Sequence, residues 1–502
     1  MTGQNQALIL SKLDIESYKE AVIYMREDCH VCSSEGLTAH ARVRVSLGDK
    51  YVIATLNTIG GALLEEGHAG LSKFAWNLLG AQENDRIIIS HALPVSSLSH
   101  VRSKIYGNNL SAEQIQEIIE DITAGRFSDI QISAFLTACA GGRMDVKEII
   151  SLTRSMSNTG ERLDWGVGLV VDKHCVGGLP GNRTTPIVVS IVAAYGLTIP
   201  KTSSRAITSP AGTADTMEVL CPVELDIKKM RQVVEQEQGC IVWGGSVALS
   251  PADDVLIQIE KALDLDSEAQ LVASVLSKKI SAGSNHVLID IPVGPTAKVR
   301  TPEMANILEN YLTMVGTALG INVRVHTSDG SRPVGRGIGP ALEARDLVSV
   351  LRNDDLAPVD LKERAVALAG YILEFSPDVA AGKGREIAQE ILKSGQAWKK
   401  FQAICEAQGG MRDIPEARFQ HIVHAPHKGR VELIDNRKIA KIAKLAGAPY
   451  AAAAGVDLHI QIGEALEKDM PLYTIHAESR GELSYTLNYI NQGNHIIQIT
   501  EL

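Results

Sequence analysis

The segment Asp172-Lys173-His174-Cys175-Val176-Gly177-Gly178-Leu179-Pro180-Gly181-Asn182-Arg183-Thr184-Thr185 sets a lysine ammonium beside three glycines and two threonine hydroxyls. Glycines admit close backbone approach, and amides at a helix start point at whatever fills the turn before it, so this set can cradle an oxyanion. The order Gly-x-x-x-x-Gly-Lys-Ser/Thr is absent, which argues against magnesium-dependent nucleotide hydrolysis. The plain alternative is an ordinary strand-to-helix turn with a solvated lysine. A second cluster runs from Lys201 through Ser203, Ser204, Arg205, Ala206, Ile207, Thr208 and Ser209 to Thr213 and Asp215, with six hydroxyl residues in fifteen positions. Hydroxyls and an arginine can ligate phosphate oxygens without carrying a proton the reaction must move. N-caps and Ser/Thr turns would use the same residues.

Two further patterns are weaker. Cys29-His30-Val31-Cys32 has the spacing of half a zinc site or a redox pair, but no second Cys-x-x-Cys completes it, and packed thiols or a loop fit better. Gly335-Arg336-Gly337-Ile338-Gly339 lacks the spacing of a dinucleotide fingerprint and reads as a loop and helix entry.

The elements that must position these residues follow from periodicity. ARVRVSL (41–47) and KYVIATL (50–56) alternate around Gly48-Asp49, which predicts a hairpin in a β-rich unit ending near residue 84. Ser111 and Gln114 have capping-box spacing, and Ile115, Ile118, Ile119 and Ile122 share one face, which predicts a helix stopped by Gly125. Helical pattern continues to about 157. VGLVVDKHCVGG (167–178) reads as a strand breaking into a glycine turn, and TTPIVVSIVAAYG (184–196) as the helix after it. VLIDIPVG (287–294) and NVRVHT (322–327) are further strands, separated by a helix over 301–320, so a mainly parallel α/β sheet is expected. Residues 361–408 return to helix, and the chain from about 410 reads as a small α+β cap.

Composition bounds the function. The 502-residue chain is 45% hydrophobic and 22% charged, as folded globular proteins are, and its length suggests several structural units. A net charge of −10 and only 4% aromatics argue against a broad nucleic-acid footprint, while a small anion remains a possible ligand because a pocket's field is local. No signal-peptide pattern opens the chain and no run of eighteen apolar residues occurs, so no membrane partner and a cytoplasmic location are expected. The seven cysteines are odd in number, which suits reduced thiols.

Ser203-Ser204-Arg205-Ala206-Ile207 through Ala211-Gly212-Thr213-Ala214-Asp215 to Glu218 resembles the signature of the thymidine and pyrimidine-nucleoside phosphorylases, and Asp172-Lys173-His174 with Gly177-Gly178 resembles their phosphate loop. Residues 273–279 and Gly294-Pro295-Thr296-Ala297-Lys298 look like further family segments, and the resemblance runs from about residue 86 to the C-terminus. With about 84 residues in front, the chain looks most like the branch containing archaeal AMP phosphorylases and bacterial "putative thymidine phosphorylases".

The resemblance implies a helical lobe (85–160, with 250–282 joining it later) and a larger α/β lobe (161–249 and 283–409) closing over a cleft. An N-terminal β-rich domain (1–84) and a C-terminal α+β portion (410–502) flank them. It implies phosphorolysis of a nucleoside, thymidine first, with a nucleoside 5′-monophosphate such as AMP as the alternative. Inorganic phosphate would be a co-substrate, with no metal or cofactor, in a homodimer or higher homo-oligomer. By position, Lys173, Gly178, Thr184, Thr185, Ser203 and Thr213 match phosphate-side residues, and Ser204 to Ser209 match a ligand-contacting stretch. Asp266 matches a proton donor, with His174 as rival; Ser274 and Lys298 match substrate contacts and Lys278 a base-contacting lysine. Asp264 and Glu268 flank Asp266, so a neighbouring carboxylate could raise its pKa. Cys175 stands where the pyrimidine enzymes have a phosphate-binding serine. A reading of another class is a non-catalytic nucleotide-binding or assembly protein built on the N-terminal segment.

Overall fold

The computed structural model describes residues 7–17, 20–60, 63–206, 209–263, 265, 267–493 and 496–501. They group into two compact units, Met1–Ser103 with Glu120–Ala134, and Lys104–Ile119 with Phe135–Leu502.

In the first unit β1 (Ala7–Ile15), β2 (Val22–Arg26), β3 (Arg42–Leu47), β4 (Lys50–Ile59), β5 (His68–Ser72) and β6 (Arg86–His91) close into a barrel of order β1-β5-β2-β4-β3-β6. The expected hairpin is present: β3 and β4 pair from Arg42↔Thr55 to Leu47↔Lys50, with Gly48 left-handed at the turn. The β1–β5 and β2–β4 pairs are parallel, and closure leaves no free edge. Alternate residues such as Val43, Val45, Ala54, Leu56, Ile87 and Ile89 fill the interior. Cys29 and Cys32, on and beside the short helix α1 (His30–Glu35), belong to that core, and burial with the neighbouring Cys29 pushes the Cys32 thiol up to about 11. These are packed thiols. Helix α2 (Lys73–Leu79) follows β5.

Helices α3 (Leu98–Ile105), α4 (Ala112–Thr123), α5 (Asp129–Cys139) and α6 (Val146–Asn158) come next. The predicted capping box of α4 forms: Ser111 N–H donates to Gln114 Oε1 and Gln114 N–H to Ser111 Oγ, and the four isoleucines are buried. Within the second unit Lys104 Nζ donates to both Glu148 oxygens at 2.6 and 2.8 Å and to the Arg143 carbonyl. Glu148 also accepts the Leu110 and Asp145 amides, so this fully buried pair ties the chain ahead of α4 to the start of α6.

The strands of the second unit that carry residues 171–329 pair in parallel. β7 (Val171–Cys175), β10 (His286–Val293) and β11 (Asn322–Asp329) run in the order β11-β10-β7, and β8 (Ile199–Ser203) pairs with β9 (Gly239–Trp243). A parallel bridge between Val170 and Thr198 links the two sets. Helix α7 (Thr184–Tyr195) crosses from β7 to β8, and its apolar run is buried with α13 (Pro340–Arg352), α14 (Val359–Leu373), α15 (Gly384–Lys393) and α16 (Gln396–Gln408) in the main core. α8 (Thr213–Leu220) and α9 (Ile227–Glu237) lie between β8 and β9; α10 (Pro251–Leu263), α11 (Glu268–Ser281) and α12 (Pro302–Ala318) complete the set, with α11 packed on α6 and α12. Beyond 410 the strands Phe419–His424, Gly455–Leu458 and Pro471–Ala477 and the helix Asn436–Leu445 form the expected α+β portion.

Removing one partner of a buried ion pair leaves an uncompensated charge. Glu148→Gln is expected to cost about 3–5 kcal/mol in denaturant unfolding, whereas Lys104→Met with Glu148→Leu should cost clearly less. Equal losses in both would show that packing, not the charge pair, governs this corner.

Candidate functional site

Lys173 sits in β7 with no exposed surface, because its strand lies inside the sheet. Its ammonium donates to Thr184 Oγ1 at 2.7 Å and Thr185 Oγ1 at 3.3 Å, the first two residues of α7, and among the described residues it has no carboxylate partner. Burial holds its pKa below the ordinary lysine value, with Cys175 and Asp290 pulling the other way. This is not a solvated turn lysine. The turn is glycine for a steric reason: Gly178 has φ +84°, and a Cβ there would lie 2.4 Å from the Lys298 amide nitrogen. The Gly177-Gly178 turn and the Gly294–Lys298 loop therefore close on one another.

Ser203 ends β8 nearly buried, and its Oγ has no hydrogen-bond partner among the described residues. Thr213 opens α8, and its Oγ1 accepts from Arg183 Nη1 at 2.9 Å. Ser203 thus stands at the carboxyl end of β8 and Thr184, Thr185 and Thr213 at the helix starts that follow β7 and β8, where open α/β sheets place their ligands, while Lys173 reaches the start of α7 from the middle of β7. Neighbouring Cys175 is a neutral thiol, pushed up to about 11 by burial and by Asp290, and it accepts a weak bond from Asn182 Nδ2.

The stretch from Ser204 to Ser209 is fastened rather than free. Arg205 Nη1 donates to Glu218 at 2.5 Å, Nη2 donates to Glu224 at 2.8 Å, and the guanidinium lies over the Trp243 ring. Asp215 accepts the amides of Ala206 and Gly212. Arg205 is surrounded by carboxylates, Asp215, Glu218 and Glu224, which engage its guanidinium. Ser204 and Ser209 are exposed, and Ser209 Oγ donates to the Ala211 carbonyl. Ile207 and Thr208 lie outside the described residues, as does Asp266.

On α11 Lys278 Nζ donates to Asp253 Oδ2 at 2.6 Å and to Ser274 Oγ at 3.0 Å, so Lys278 joins a second expected substrate residue to a carboxylate that periodicity did not single out. Asp253 Oδ1 is buried without a partner among the described residues. Behind them Asp172, fully buried, holds Lys279 Nζ at 2.7 Å and Lys201 Nζ at 3.6 Å. His174 feels burial first, then Lys279, Lys201, Lys278 and Lys173, and its pKa is driven well below the ordinary histidine value. It is neutral at neutral pH and has no imidazolium proton to give. Of the four lysines, Lys201 and Lys279 pair with Asp172 and Lys278 with Asp253, while Lys173 bonds to hydroxyls. Sequence reasoning missed Asp172, Lys201, Lys279, Asp253 and Arg183 as site residues. For Asp172, Lys201, Lys279 and Arg183 the usable signal was adjacency, since each stands next to, or within a helical turn of, a residue already singled out; Asp253 has no such neighbour.

The sequence matches the helical bundle domain of a glycosyl transferase family over residues 99–160, the α/β domain of that family over 168–398, and a pyrimidine nucleoside phosphorylase C-terminal domain over 430–496. A "putative thymidine phosphorylase" of Legionella pneumophila (strain Corby) is 61% identical over 494 residues, covering 98% of this chain and 96% of that protein. One from Polaromonas sp. is 58% identical over 494 residues, covering 98% and 97%. Among solved structures, anthranilate phosphoribosyltransferase from Thermus thermophilus shares the fold at TM-score 0.51 and 19% identity, over 61% of this chain and 98% of that one.

Ser203→Ala removes a hydroxyl that bonds to nothing within the described protein, so the melting temperature should stay unchanged. The calorimetric dissociation constant for inorganic phosphate should rise about ten- to hundredfold, the worth of one hydrogen bond to a charged partner. An unchanged constant would remove Ser203 from the anion site.

Proposed function

Because the chain belongs to the thymidine and pyrimidine-nucleoside phosphorylase family of pentosyltransferases, we propose that inorganic phosphate bound beside Lys173 attacks the anomeric carbon of a nucleoside, thymidine first. The C1′–N bond breaks, a phosphate oxygen bonds C1′, and the products are the free base and a pentose 1-phosphate. The observation that carries this reading is the buried Lys173 ammonium, which bonds to hydroxyls and, among the described residues, to no carboxylate. A bound dianion supplies the missing counter-charge.

Phosphorolysis needs the phosphate held in line and something to take the charge developing on the leaving base. Lys173, Ser203, Thr213 and the α7 start serve the first need. For the second, the Lys278 ammonium is the cation on the base side, and Asp253 Oδ1 is an acceptor left for a base N–H. Neutral His174 is unsuited to general acid work, which leaves Asp266 as the proton donor that the family resemblance implies.

Pure protein with phosphate and either thymidine or AMP should release free base from thymidine in excess; release from AMP alone would move the assignment to the nucleoside 5′-monophosphate, and release from no nucleoside or nucleotide would defeat both. Lys173→Met should lower kcat/KM by about a thousandfold, as expected for a group acting on the reacting phosphate. Asp266→Asn should lose far more kcat than His174→Asn, and the reverse ranking would return the acid to His174. Since burial lowers the Lys173 pKa, its proton leaves as pH rises at a lower pH than the usual value of about 10.4. kcat/KM for phosphate should accordingly fall on the alkaline side, ahead of an ordinary lysine, and this limb should vanish in Lys173→Met.

A further inference from the structure

We infer that Arg183 is a positioning residue that turns the Thr213 hydroxyl toward the bound phosphate, an inference that rests on the phosphate-side reading of Thr213. A threonine hydroxyl has one proton to give and lone pairs to receive with, whereas a guanidinium only donates. Arg183 Nη1 donates to Thr213 Oγ1 at 2.9 Å, so the hydroxyl's own proton cannot point back at Arg183 and is left for another acceptor. The same logic holds at the start of α7, where the Lys173 ammonium donates to Thr184 and Thr185 and leaves their protons to point away from it. Each cation therefore polarises hydroxyls whose free protons can meet an anion.

Arg183 is fixed for this work on every edge. Its Nε and Nη2 both lie 2.6 Å from Glu343 Oε2, and Nη2 also donates to the Ala211 carbonyl at 3.0 Å. Glu343 is buried on α13, and its carboxylate accepts the Thr216 hydroxyl and the Gly339 amide besides. The residue immediately before Thr184 is thereby locked to the first residue of α8 and to α13, coupling two helix starts that carry phosphate-side hydroxyls. Glu343 cancels the arginine's charge, so Arg183 contributes orientation rather than field. Its loss should be felt in phosphate affinity and not in the chemical step.

A double-mutant cycle tests this in the full-length protein. Arg183→Met and Thr213→Val should each raise KM for phosphate about tenfold, with kcat within about twofold and KM for the nucleoside unchanged. The double variant should be no worse than either single, because both remove one hydrogen bond to phosphate. Arg183→Lys keeps a donor for the hydroxyl and should recover part of the loss. Should Arg183→Met fail to fold because Glu343 is left unpaired, Arg183→Met with Glu343→Leu removes both charges and carries the same cycle. Additive effects, or an unchanged KM for phosphate in the Arg183 variants beside a raised one in Thr213→Val, overturn the inference while the phosphate reading stands. An unchanged KM in Thr213→Val overturns both.

Discussion

An ammonium buried in a β-strand and bonded, among the described residues, to hydroxyls and to no carboxylate is the constraint on which this molecule turns. Taking such a charge out of water costs several kcal/mol even after relaxation, and two threonine hydroxyls return only part of it. A fold selected for stability alone would place an apolar residue at position 173. The arrangement makes sense when the counter-charge comes with a ligand, and the local structure follows from that need. The strand must be central enough to keep Lys173 dry, the turn after it must be glycine so that the Lys298 loop can approach, and α7 must begin on hydroxyls.

The lysines around it divide the labour by their partners. Lys201 and Lys279 are held by Asp172 and Lys278 by Asp253, whereas Lys173 has no carboxylate partner among the described residues. Burial first, and then the field of these lysines, hold the His174 pKa well below the ordinary histidine value, against the role of proton donor that its ordinary pKa would suit. Arg183 and Arg205 show the opposite use of cations. Each is engaged by carboxylates, Glu343 in one case and Glu218 with Glu224 in the other, and each ties separate segments together.

Local signals in the sequence were legible where one segment decides its own structure. The α4 capping box, the β3–β4 hairpin, the β7 strand with its glycine turn, and α7 all formed where periodicity and turn residues placed them. Closure of the N-terminal barrel was not legible, since parallel pairing of β1 with β5 joins residues about sixty positions apart and leaves no local trace. At the site, the residue types that bind anions announced themselves as clusters. Their second neighbours did not: nothing in the sequence says that Asp172 meets Lys279, or that Arg183 meets Glu343 across 160 positions. The carboxylates that hold Arg205 are equally silent in the sequence, because they arrive from α8 and the segment after it.

The most direct measurement is a crystal structure of the protein grown with inorganic phosphate. This account predicts a tetrahedral anion in hydrogen-bond contact with Lys173 Nζ and Ser203 Oγ, at the start of α7. Phosphate bound elsewhere, with water alone beside Lys173 and Ser203, would contradict it.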